Sequence, residues 1–111
     1  MAEKRVNNRK RKRLRVRFGI EAPKRMAFTD DLSPKGLFIT TSMPEKPGTI
    51  LMLEIELSAT ETVKCQGQVR WARKIPSSLL RVATKGGMGV TLGRFSQGKD
   101  LYQQTVEQLR Y

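Results

Sequence analysis

Apolar and polar residues alternate strictly from Leu14: Leu14, Val16, Phe18 and Ile20 point one way, with Arg15, Arg17 and Gly19 between them. A period of two is the signature of a half-buried β-strand, here with a basic outer face. "EAPK" (21–24) breaks it with a proline turn. A weaker strand is expected over 25–30 around Met26 and Phe28, and "LFITT" after Gly36 reads as a third. Pro47-Gly48 suits a tight turn. Beyond it, Leu51, Leu53, Ile55 and Leu57 share one face of "TILMLEIEL", and Val63, Cys65, Gly67, Val69 and Trp71 share one face of "VKCQGQVRWARK". These two segments predict a hairpin with both faces directed to the core. Residues 75–87 lose the alternation and are read as holding a short helical turn. "MGVTL" (88–92) is a sixth strand, and Ser96 is placed to cap a helix over 97–110 carrying Leu101, Thr105 and Leu109.

Short strands punctuated by turns, then one helix, define an all-β architecture: a six-stranded antiparallel barrel of split-barrel type with a C-terminal α-helix. Closure would remove the exposed strand edges of a small sheet. The 111 residues fit one domain, taken as 9–111 behind a flexible basic tail over 1–8 that lacks apolar periodicity. No separate output domain is expected within a chain of this length.

Charge changes the picture at one end only. Nine of the 22 basic side chains fall in residues 1–17, where Glu3 is the one acidic group, so the net +12 is concentrated in an N-terminal arm. Such an arm calls for an anionic partner. The chain contains no histidine and a single cysteine, Cys65, which leaves no internal disulfide, no metal-ligand cluster and no histidine base. No nucleophile–base pair is visible either, so no catalytic residues, metal or cofactor are expected and an enzyme is the least favoured class. No apolar run approaches the ~20 residues that span a bilayer, and no signal peptide is recognisable. The reading is a cytoplasmic protein without membrane insertion. Cys65 and Trp71 are both assigned to the core, and Glu54 and Glu56 to a solvated face.

Two segments carry candidate chemistry. In "RKRKRLRVR" (9–17) arginines recur at alternate positions, each offering a planar fork of donors that fits phosphate oxygens or a guanine edge. In "DDLSPKGLF" (30–38), Asp31, Ser33 and Gly36 form D-x-S-x-x-G, which alone is a serviceable turn. Together, an R-x-x-x-R pair followed roughly twenty residues on by D-x-S-x-x-G and an apolar strand resembles the PilZ domain, a bacterial receptor module for cyclic di-GMP. "PEKPGTILMLEIEL", "GQVRWARK" and "GMGVTL" fall where that family has its exit loop, central hairpin and last strand, so the resemblance covers nearly the whole chain.

The resemblance implies a receptor and adaptor that binds cyclic di-GMP, changes conformation and signals to a downstream protein. It assigns the arginine pair to the phosphates and a guanine face. Arg9/Arg13 is the favoured pair, because Leu14 and Val16 follow Arg13 directly. Arg11/Arg15 is the alternative register, and Arg13/Arg17 fits less well. Asp31 and Ser33 match the pair that reads a guanine edge, and Gly36 leaves space for the base. Asp30 is expected to turn to the opposite face. Two other readings stay open: a small basic barrel binding RNA or DNA through its arm, and a ligand-blind PilZ adaptor.

Overall fold

The computed structural model describes residues 9–75 and 86–109. Seven strands and one helix run in order: β1 (Lys10–Arg11), β2 (Arg15–Gly19), β3 (Arg25–Leu32), β4 (Gly36–Thr40), β5 (Ile50–Glu56), β6 (Thr62–Arg73), β7 (Gly87–Gln97) and α1 (Lys99–Gln108). The sheet runs β1-β3-β2-β5-β6-β7-β4, and β4 pairs back onto β3, so β2–β7 close into a six-stranded antiparallel barrel with β1 as an extra strand. The helical turn expected within 75–87 lies almost wholly outside the described residues. No helix among the described residues is long and apolar enough to cross a membrane.

The alternating positions build the core. Val16 and Phe18 of β2, Leu51, Leu53 and Ile55 of β5, and Val63, Cys65 and Val69 of β6 are all buried, joined by Leu37, Ile39, Met88 and Val90. Tyr102 and Val106 of α1 close one end. The Lys46–Thr49 turn forms as the sequence predicts, with Gly48 at φ 94° and Thr49 N–H donating to the Lys46 carbonyl at 3.1 Å.

Five details depart from the alternation. Ile20 is 58% exposed because β2 ends at Gly19, and the chain turns there. In β3 the buried residues are Ala27, Thr29 and Leu32, while Met26 is exposed. Thr29 is inward because its hydroxyl accepts from Leu14 N–H at 2.8 Å and donates to the Lys12 carbonyl at 2.7 Å, sealing the gap between β1 and β2. Strand β7 runs on to Gln97, past the expected end at residue 92. Ser96 therefore lies in that strand and donates to the Lys64 carbonyl, while Gly98, at φ 81°, is the residue that starts α1. Finally, the buried face of α1 is Tyr102 and Val106, one position on from the Leu101/Thr105/Leu109 stripe, of which Leu109 still packs on the core.

Cys65 is a buried thiol pushed up to about 12 by burial alone. Burial, and after it the neighbouring Cys65, likewise raise the Tyr102 hydroxyl above its ordinary 10.0. In the unfolded chain the thiol ionises near 9.0, so above that pH the unfolded state binds fewer protons than the folded one. Stability should then fall as pH climbs from about 9 toward 12. Thermal midpoints across this range should drop, and drop less steeply in Cys65→Ala. Equal slopes for the two proteins would contradict the assignment.

Candidate functional site

The arm and the D-x-S-x-x-G loop meet through backbone pairing. β1 lies antiparallel on the end of β3, with Lys10 opposite Leu32 and Arg11 opposite Asp31. This places the Arg9 guanidinium on the Asp31 carboxylate, with Nε at 3.1 Å and Nη2 at 2.8 Å from Oδ1. A bulge between Thr29 and Asp31 adds Asp30 as an extra residue in β3. It also overturns the expectation that Asp30 faces away from Asp31. The two side chains are 22% and 23% exposed, and each meets an arm arginine, Asp30 lying 3.8 Å from Arg11.

Ser33 and Gly36 form a tight loop between β3 and β4. Ser33 N–H donates to the Gly36 carbonyl at 2.8 Å, and Gly36 N–H donates to Ser33 Oγ at 3.1 Å. Ser33 is buried, so its hydroxyl shapes the loop. Gly36 is required by close packing: a Cβ there would stand 2.4 Å from the Val90 carbonyl oxygen, a backbone atom. The neighbour that excludes a side chain at Gly36 in this structure is β7.

Beside this loop lies an open cleft of about 130 Å³ lined by Arg9, Ser33, Lys35, Gly36, Arg70, Trp71, Gly89, Val90 and Thr91. That is below the ~300 Å³ of a drug-sized pocket and suits a planar ring seated against a surface. Neither Lys35 nor Arg70 has an ion-pair partner within 4.0 Å among the described residues, and both line this recess. A larger cavity of about 500 Å³, between Pro23, Met52, Lys64 and Phe95, contains none of the motif residues.

Trp71 contradicts its assignment to the core. It is 45% exposed because β6 carries an extra residue, Arg70, between the Val69–Val90 and Trp71–Gly89 pairs. The bulge reverses the phase of alternation, turning Trp71 outward. There it stacks on Phe38 with ring centroids 5.2 Å apart. It lies flat across β7 because position 89 is glycine, where a Cβ would come within 2.3 Å of the indole nitrogen. The sequence signal available for this was "GMG" opposite "WAR", which alternation alone does not decode.

Of the expected site residues, Arg9, Asp31, Ser33 and Gly36 are brought together. Other arm arginines make other side-chain contacts: Arg13 lies 3.9 Å over the Phe28 ring, Arg11 faces Asp30, and Arg15 is 3.8 Å from Glu56. Among the described residues no group of acidic, cysteine or histidine side chains could hold a metal ion.

The fold and site thus define a small closed barrel with a basic arm laid beside a polar loop and a cationic, aromatic-walled cleft. The sequence model of the PilZ domain matches residues 3–92, and the chain belongs to the PilZ domain family. Among solved structures it is similar to the Bacillus subtilis inhibitor of motility (MotI/DgrA), with a TM-score of 0.74 at 19% identity. That likeness covers 96% of this chain and 51% of the other, so the chain spans about half of that protein's length. No curated protein sequence matches significantly.

Proposed function

We propose that this protein is a cyclic di-GMP receptor that passes occupancy of its cleft to a protein partner, without catalysing a reaction. The observation that supports this reading is the convergence of Arg9 on Asp31 at a cleft holding Ser33, Gly36, Arg70 and Trp71. In this reading Arg9 exchanges the Asp31 carboxylate for a ligand phosphate, and Asp31 then accepts from guanine N1–H and N2–H₂. Arg70 and Lys35 add charge at the recess, and the exposed face of Trp71 supplies a surface for a purine ring. One charge-assisted contact replaces another, so specificity comes from the base and affinity from the added cations. The arm, repositioned over the nucleotide, presents a changed surface to the partner.

Trp71 is the single tryptophan of the chain, so its fluorescence reports directly on the cleft. Titration with cyclic di-GMP is expected to quench it saturably, with linear pGpG and GTP much weaker. Quenching by any oligonucleotide, with a steep salt dependence, would instead establish the nucleic-acid reading. No response to any of these would reject the receptor role.

A further inference from the structure

The arm and the D-x-S-x-x-G loop are far apart in sequence, yet both are fastened to α1. The hydroxyl of Tyr102, a fully buried residue, donates to the Ser33 carbonyl at 2.8 Å, and the Gly36 carbonyl oxygen lies at 3.2 Å from it. Next along the helix, Gln103 Nε2 donates to the Pro34 carbonyl at 3.0 Å. Three of the four residues of the loop are therefore held through their backbone oxygens by two adjacent side chains of one helix. From the other side, Lys10 Nζ donates to the Val106 carbonyl at 3.0 Å. That carbonyl belongs to the last turn, which has no basic residue of its own, so the arm supplies the cation that favours a helix C-terminus.

Arg9 and Lys10 are adjacent, and their side chains diverge: Arg9 reaches the loop at Asp31, Lys10 reaches the helix. A ligand that repositions the arm at Arg9 also shifts the backbone that carries Lys10. The helix lies outside residues 3–92, the segment that defines the family match. For packing alone a phenyl ring would serve at position 102; the hydroxyl is what ties it to the loop oxygens.

We propose that Tyr102 is a positioning residue for the cyclic di-GMP site, and that α1 is the element in which occupancy of that site is felt. This rests on the receptor reading. Because coupling is reciprocal, loosening the helix must weaken the ligand, and the ligand must change the helix. Two measurements test it. Tyr102→Phe, which keeps the ring, should bind cyclic di-GMP about 3- to 10-fold more weakly, the loss expected for one net hydrogen bond. In the wild-type chain, saturating cyclic di-GMP should alter amide hydrogen exchange along α1, and Tyr102→Phe should abolish most of that change. A purely structural tyrosine would leave the helix unresponsive to ligand. Affinity within twofold of wild type, or α1 exchange that ligand does not move, overturns the proposal. Failure of the wild-type chain to bind would be a different result, and it would overturn the receptor reading together with this proposal.

Discussion

Arg9→Ala is expected to weaken cyclic di-GMP binding by about 2–5 kcal/mol, the range for stripping one partner from a charged hydrogen-bonded contact. That corresponds to roughly 30- to 4,000-fold in Kd. Arg9 is the arm arginine whose fork already rests at the cleft, on Asp31. Arg13 starts from the Phe28 ring and must leave it to contribute, so Arg13→Ala should cost less. Fold stability should barely change with Arg9→Ala, because the Arg9–Asp31 pair is partly exposed and such pairs contribute about 0–1 kcal/mol. Arg9→Lys should recover only part of the affinity, since a lysine keeps the charge and loses the planar fork. Isothermal calorimetry on the three variants decides the matter. A larger loss from Arg13→Ala than from Arg9→Ala would make Arg13, rather than Arg9, the principal arginine of the pair.

Alternation was sufficient for most of the barrel because β2, β5 and the first part of β6 keep one phase from end to end. Each buried residue there except Gly19, from Val16 to Val69, sits where a period of two places it. The proline–glycine turn before β5 was legible for the same reason: its backbone demand is local. What escaped the sequence were local irregularities set by a second segment. The bulges at Asp30 and Arg70 add one residue each against a partner strand, and each reverses the face presented by the residues after it. Trp71 was misplaced for that reason, and with it one wall of the cleft. On α1, Leu101 and Thr105 look as suited to a core as Tyr102 and Val106 do. The choice between the two stripes is made by Ser33 and Gly36, whose carbonyls accept the Tyr102 hydroxyl across a separation of more than sixty residues. Half of the site was visible as motif residues; the other half is made by contact.

Gly36→Val should lower the free energy of unfolding by on the order of 3 kcal/mol, as expected for forcing atoms into a filled space, and should remove ligand binding with it. The first added carbon would stand 2.4 Å from the Val90 carbonyl oxygen and 3.5 Å from Thr91 Cα. Both belong to the backbone of β7, which pairs with β4 through Gly36–Thr91 and cannot rotate aside as a side chain could. The two strands must splay, and splaying reaches the loop. Gly36 N–H would leave Ser33 Oγ, and the Gly36 carbonyl would lose its contacts with the Ser33 amide and the Tyr102 hydroxyl. Strand separation also shifts Val90 and Gly89 under Trp71, so the cleft is deformed on two sides. Gly93 is the matched control, since a Cβ there meets nothing within 4 Å and its φ is not in the left-handed region. Gly93→Ala should keep both stability and binding. In urea titrations, the midpoint for Gly36→Val should fall with an unchanged slope, marking a loss of stability rather than a change in the unfolded chain. Full retention of the midpoint would mean that β4 and β7 can separate at no cost, and that the loop's shape does not depend on their pairing.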